Sequence, residues 1–301
     1  MSSPTGVRAQ TPDAVAKRLL RASASHSFDP DTDIDWDAPL ENGKWFWPPE
    51  RLSLYATPMW DRMDERQRIE LSRQEMASYM SMSIWNELHV LRMFSHYVGT
   101  QDPTDSRTHY ALTELADETR HMKMMARLLA TYNCPVYRYP PLLRRLLPLT
   151  PFAFQDLTTF ALVLVIEELQ DPVQRESMRD ERLQSVMRQV CRIHVTEEAR
   201  HVSFARAELR AAVERASRRR LAVHRELTAI SAGLGVSALL DPRVYRAAGL
   251  DTAAALRQRR DNPYFRKSML DSGKKVVDFL TEVGMITPLQ HHWWRRANLI
   301  A

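Results

Sequence analysis

The chain has little of what punctuates sheets or staples small folds: eight glycines and two cysteines in 301 residues. So few glycines argue against a fold of short strands joined by tight turns. The abundant Leu, Ala, Arg, Glu and Met argue for helix. Cys134 and Cys191 stand alone, without Cys-x-x-Cys spacing. That argues against a disulfide framework or a zinc ribbon and fits reduced thiols in a cytoplasmic protein. Long apolar runs are also lacking. The longest, Phe160 to Ile166, falls far short of the ~20 residues that span a bilayer. The N-terminus has no uninterrupted apolar stretch of the kind a secretory signal needs. A cytoplasmic location without a membrane partner is therefore expected.

Charge excludes little. The formal net charge is +5, with local basic excess at Arg218 to Arg220 and at Arg257 to Arg260. Neither a recognised nucleic-acid module nor a basic face interleaved with aromatics is visible, so no nucleic-acid partner is expected.

What the chain does have is a duplicated cluster of metal-ligand types. The first copy reads Glu114-Leu-Ala-Asp-Glu118-Thr-Arg-His121 and the second His194-Val-Thr-Glu-Glu198-Ala-Arg-His201. In each, a glutamate precedes a histidine by three positions, and another ligand type stands four before the glutamate. Offsets of three, four and seven fall on one face of a 3.6-residue helix, so each cluster projects its donors together. Two Glu-x-x-His helices, each partnered by a helix with one more Glu, build the di-iron carboxylate site of ferritin-like bundles.

The partner glutamates emerge from the spacing. Glu87 lies 31 residues before Glu118 (118 − 87), and Glu167 lies 31 before Glu198 (198 − 167). Both sit in apolar helical surroundings, and the constellation repeats at a period of 80 (198 − 118). The equal offsets favour Glu167 over its neighbour Glu168. Four glutamates inside a helical core make little structural sense without cations. The candidate metal ligands are therefore Glu87, Glu118, His121, Glu167, His194, Glu198 and His201. His194 is the least ordinary of them, since the usual scheme needs only two histidines; the alternative is a core histidine with a satisfied hydrogen bond. Glu114 is read as a supporting or solvated residue. Asp117 and Glu197 are expected to lie off the metal face, with Arg120 and Arg200 bracing carboxylates or facing solvent. The methionine cluster around Met76, Met80 and Met124 is read as core filler rather than a copper site.

The expected architecture is all-α: a ferritin-like helical bundle with extra helices and an irregular N-terminal segment. Residues 1–40 are polar and read as a largely flexible tail with a helical turn at Ala14 to Leu20. Residues 41–301 read as a single di-iron bundle domain with its core at 62–216. From Trp45 to Trp60 aromatics and prolines suggest an irregular segment anchored by rings. Helices are expected at about 64–97 and 106–132. A proline-rich crossover at 135–151 follows, then a helix from about 152 that Pro172 kinks or ends. Further helices are expected at about 180–215, 220–235 and 263–283. The segment 291–296 is left unassigned.

With these residues in place, the chain resembles the p-aminobenzoate N-oxygenase family of non-haem di-iron oxygenases. The likeness covers about residues 62–216 and rests on His194-x-x-x-Glu198-x-x-His201 together with Glu87, Glu118-x-x-His121 and Glu167. The family is known for an additional histidine in its site, which His194 would supply. The resemblance implies two iron ions, O2 as co-substrate and the same seven ligands. It also implies conversion of an amine to a hydroxylamine, nitroso or nitro product, in secondary-metabolite biosynthesis such as that of antibiotics. No flavin or nicotinamide fingerprint is visible, so an external electron donor or reductase is expected, and a homodimer is left open. The substrate is a small-molecule or carrier-tethered amine, with Tyr79, two turns before Glu87, as a candidate contact. Between Gln74 and Leu91 there is no Arg or Lys to meet an aminobenzoate carboxylate. Alternative readings are a C–H hydroxylase or desaturase, or a ferritin-like iron-binding or peroxide-scavenging protein.

Overall fold

The computed structural model describes residues 11–301, which are helical apart from an irregular stretch over residues 26–57 and shorter connections. In chain order the helices are α1 (Pro12–Ser25), α2 (Pro58–Arg62), α3 (Glu65–Val98), α4 (Ser106–Thr131), α5 (Pro141–Leu146), α6 (Thr150–Ala153), α7 (Asp156–Ser177), α8 (Ser185–Arg215), α9 (Arg218–Ala238), α10 (Arg243–Ala247), α11 (Thr252–Asp261), α12 (Pro263–Glu282) and α13 (His291–Arg296). Among the described residues, the only β-type pairing is an isolated bridge between Trp45 and Leu183.

The centre of the molecule is two long helical hairpins, α3 with α4 and α7 with α8, packed so that α3 touches α7 and α4 touches α8. Local sequence sets their ends. Asp64 caps α3 by accepting from Gln67 N, and Asp105 caps α4 by accepting from Arg107 N, each satisfying an otherwise orphaned helix-start amide. Short connections then force each pair to run antiparallel. Residues 135–151 form the crossover, broken by prolines into α5, a 3-10 turn (Leu147–Leu149) and the start of α6. Outer helices cover the α7 side: α9 and α12 pack on α7, and α13 packs on α9. Among the described residues no helix is long and apolar enough to cross a membrane.

The segment rich in aromatics and prolines is held by its rings. Trp47 is buried and stacks on Tyr79 at 5.1 Å, Trp45 stacks on Trp60, and Phe46 meets Tyr132 edge-on. Trp45 also docks by backbone, donating to Arg182 O and accepting from Gln184 N, both at 2.9 Å.

Three expectations are corrected. The first ten residues of the supposed flexible tail lie outside the described residues. Of the remainder, Pro12–Ser25 is a helix that packs on α4 and α8 and buries Val15, Ala16 and Leu19. Thr11 caps it, Pro12 sits where a missing amide costs nothing, and three apolar residues on one face are enough once a bundle is there to receive them. Pro172 does not end α7, which runs to Ser177. The proline forfeits one backbone bond, but Val173, Gln174 and Ser177 beyond it are buried, and Ser177 Oγ donates to Val173 O at 2.8 Å. The fourth bundle helix starts at Ser185 rather than near Asp180, because Arg182 O and Gln184 N pair with Trp45.

One buried acid ties the N-terminal segment to the C-terminal helices. Glu75, fully buried on α3, accepts from Ser53 N at 3.0 Å and from Ser53 Oγ. Ser53 Oγ also meets Tyr245 Oη at 2.8 Å, and Asn262 Nδ2 donates to Ser53 O at 3.0 Å. Burial pushes the Glu75 carboxyl up to about 7, with the Ser53 bonds opposing. The folded state therefore holds a proton that the unfolded chain has already lost above its ordinary value of 4.5. Stability falls as pH rises from there to about 7 and is level beyond. The loss is about 3 kcal/mol at ~1.4 kcal/mol per unit. Glu75→Gln lacks this term, so its stability relative to wild type should improve by about that amount between pH 4.5 and 8. Urea unfolding of both proteins across the range is the measurement; parallel pH profiles would refute it.

Candidate metal centre

All four central helices contribute to a cluster buried between them. Glu87 comes from α3, Glu118 and His121 from α4, Glu167 from α7, and His194, Glu198 and His201 from α8. None is more than 3% exposed. Their donor atoms form three overlapping groups: Glu118, His121, Glu198 and His201; Glu87, His121 and His194; Glu167, His194 and Glu198. Within each group the atoms lie within 4.8 Å of one another. The structure thus brings together all seven residues that the spacing singled out.

The finer geometry is that of atoms converging on cations. His121 Nδ1 is 3.0 Å from Glu198 Oε1, and His201 Nδ1 is 3.2 Å from Glu118 Oε1. Neither glutamate oxygen has hydrogen-bonding geometry to a partner. Ligands on one octahedral cation with bonds of ~2.1 Å lie about 3 Å apart. Both Glu167 oxygens and Glu87 Oε2 are also buried without partners. His194 Nε2 stands 3.2 Å from Glu87 Oε1 and 3.6 Å from Glu198 Oε1. Glu168 turns the other way, held by Arg206 at 2.8 and 2.6 Å.

Electrostatics show the same demand for positive charge. Burial and the neighbouring Glu198, Glu118 and Glu87 push the Glu167 carboxyl well up. Glu87 is raised to about 7 by burial, with His194 opposing. For Glu198 burial is overcome by His201 and His194, which hold its carboxyl well down. Burial also loses at His121, raised by Glu118, Glu197 and Glu198, and at His201, raised by Glu198, Glu114 and Glu118. Four carboxylates carry a formal charge of −4, which two divalent cations balance. Seven side chains, four able to bridge or chelate, also exceed what a single six-coordinate ion can use. The residues fit a pair of metal ions.

Asp117 and Glu197, expected to lie off the metal face, have a part the sequence reading missed. His121 Nε2 is 2.9 Å from Glu197 Oε2, and His201 Nε2 is 3.3 Å from Asp117 Oδ2. Each imidazole turns Nδ1 inward and Nε2 towards an acid on the opposite helix, the acid that immediately precedes that helix's own cluster glutamate. Such bonds fix ring orientation and tautomer and raise basicity towards a metal. Arg200 Nη2 lies 3.3 Å from Glu197 and 3.6 Å from Asp117, and Arg120 bonds Asp117. Phe28 N also donates to Glu197 at 3.3 Å. The signal was present in the sequence, since both copies carry an acid at that position.

Glu114 is not solvated. It is fully buried with neither oxygen bonded, and burial, partly offset by His201, pushes its carboxyl up to about 8. Tyr79 stacks on Trp47 and lines a small cavity with Arg51, Ser268 and Met269, away from the seven donors. Arg51 there is already paired with Glu176 and donates to Ser268 Oγ. His89 meets Thr150 and His224 meets Thr158. Met76, Met80 and Met124 are buried in the core.

A four-helix carboxylate and histidine centre of this kind defines the class of ferritin-like di-metal proteins. The chain matches the model of p-aminobenzoate N-oxygenase AurF over residues 9–284 and belongs to that family of di-iron oxygenases. Similar proteins include uncharacterized proteins of Mycobacterium bovis and Mycobacterium tuberculosis, each 29% identical over 207 residues. The matches cover 66% of this chain and 61% of the relatives' own length.

Removing an orienting acid should loosen the metal without unfolding the bundle. Asp117→Ala and Glu197→Ala should each weaken metal binding ~10–100-fold. Competition with a chromophoric chelator measures this, and circular dichroism checks that helix content is retained. Wild-type affinity in both variants would remove the orienting role.

Proposed function

We propose that this protein is a di-iron N-oxygenase that uses O2 to convert an amine to a hydroxylamine and onward to nitroso or nitro products. The single observation that carries the reading is the third imidazole. His194 stands inside the cluster, 3.2 Å from Glu87, where the usual ferritin-like scheme has no histidine. Family membership supports the same chemistry.

The seven ligands are Glu87, Glu118, His121, Glu167, His194, Glu198 and His201. A pair of irons held by these residues would supply the redox chemistry that O2 activation requires. The chain's own contribution is placement. Asp117 and Glu197 hold two imidazoles with Nδ1 inward, and Arg120 and Arg200 pair with those acids. The apolar residues Leu164 and Val163 pack beside Glu167 on α7, and Val195 and Ile193 flank His194 on α8. A centre without bulk water strengthens electrostatic interactions and keeps reactive species from side reactions. The amine has to be oriented beside the centre, and orientation of this kind accounts for a large part of such rate gains. Electrons come from an external donor.

The test loads the protein with iron, reduces it and adds O2 with a panel of aryl and alkyl amines. Products are then analysed by mass spectrometry. Hydroxylamine, nitroso or nitro products are expected. Only C–H hydroxylated or desaturated products, or O2 consumption indifferent to the amine, would overturn the proposal. Glu118→Ala and His201→Ala should lose bound iron. His194→Ala should keep substantial iron and lose N-oxygenation by ~100-fold, a loss typical of a missing metal-centre contact.

A further inference from the structure

An apolar cavity lies outside the ring of ligands, on the α3 and α7 side of the bundle. It has a volume of about 210 Å³, and α9 and the crossover close it. No Asp, Glu, Lys or Arg side chain lines it. Leucine and valine are its commonest lining residues, among them Leu162, Val165 and Leu169, and His89 also lines it. The polar groups are few and several already have partners. Tyr139 Oη donates to Asn86 Oδ1, and Ser83 Oγ donates to Gln170 Oε1 at 2.6 Å.

The cavity has a direction. Leu146 and Leu234 line it and are still about half exposed, at 49% and 50%. They mark a leucine mouth between α5 and α9. Asn86 and Ile166, which also line it, immediately precede Glu87 and Glu167 in the chain. The cavity therefore abuts the two helices that carry these ligands, while none of the seven donors itself lines it.

We propose that this cavity seats the uncharged, apolar body of the amine substrate, an aryl or alkyl amine without a carboxylate. The inference rests on the N-oxygenase reading and specifies its substrate class. Size supports it: an apolar cavity of about 150 Å³ suffices for benzene, so this one holds an aromatic ring with a short alkyl extension. Chemistry supports it as well. A carboxylate in this space would lose its water with no cationic side chain to receive it. The apolar body enters through the leucine mouth and places its amine towards the helices of Glu87 and Glu167.

Two probes differing in one substituent test the assignment: 4-butylaniline and p-aminobenzoate. Calorimetric titration of the metal-free full-length protein should show 4-butylaniline binding at least tenfold more tightly. Gly235 supplies the cavity-blocking variant. It lines the space, and a Cβ built there meets nothing within 4 Å, so a larger side chain grows into the cavity without displacing the fold. Gly235→Phe should weaken 4-butylaniline binding at least tenfold, whereas Gly235→Ala should bind much as wild type does. Equal or tighter binding of p-aminobenzoate, or undiminished 4-butylaniline binding by Gly235→Phe, overturns the ligand class whatever product the enzyme forms. Cavity-dependent binding of 4-butylaniline, with no N-oxygenated product from the iron-loaded and reduced enzyme, would instead overturn the N-oxygenase reading and leave the ligand class standing.

Discussion

Burying four carboxylates among apolar helices is the constraint on which the rest of this structure depends. Glu87, Glu118, Glu167 and Glu198 are each no more than 3% exposed, and ionised groups are costly to hold out of water unless positive charge meets them. A pair of divalent cations balances their charge, and three imidazoles supply further neutral donors. The helices α3, α4, α7 and α8 each bring at least one of these acids. Much of the bundle's sequence can be understood as keeping them close, oriented and dry.

The arrangement is nearly symmetric, and its departures from symmetry are informative. Each hairpin gives a lone glutamate, a Glu-x-x-His pair and an acid that bonds the other hairpin's histidine. The copies differ four residues before the paired glutamate, where α4 has Glu114 and α8 has His194. His194 joins the cluster, while Glu114 is buried with both oxygens unbonded. The two bracing acids differ too. Asp117 is held by Arg120 and Arg200, whereas Glu197 also accepts from the backbone of Phe28. The N-terminal segment is thereby a working part of the centre, one hydrogen bond away from the acid that orients His121.

How much of this was legible in the sequence depends on how local the signal was. The seven donors follow from helical phase and two equal 31-residue offsets, because a backbone hairpin converts chain spacing directly into position. The choice of Glu167 over Glu168 came from that same regularity, and Arg206 supplies the physical counterpart by tying Glu168 away from the cluster. The orienting role of Asp117 and Glu197, both off the metal face as expected, was not legible because helical phase reports which face a residue occupies within its own helix. It does not report what the neighbouring helix extends towards that face. The N-terminal helix was legible only as a turn at Ala14 to Leu20 for a related reason: Val15, Ala16 and Leu19 are too few to predict a stable helix, and what holds them is tertiary. Pro172 shows the converse, a local breaker outweighed by the burial of the residues beyond it.

These features divide the molecule into two chemically different sides. On α4 and α8 stand the bracing acids, their arginines and the N-terminal helix, so that side is charged and covered. On α3 and α7 lies a cavity lined by no acidic or strongly basic side chain, open between Leu146 and Leu234. A substrate approaching through the first side would have to break the hydrogen bonds that orient His121 and His201. Approach through the second disturbs none of them. On the proposed reading, the charge that makes the centre possible also favours the α3 and α7 side as the direction of substrate approach. The broken, leucine-rich crossover makes sense as the wall on that side: a continuous helix there would close the mouth, whereas short turns around prolines leave Leu146 shared between cavity and solvent.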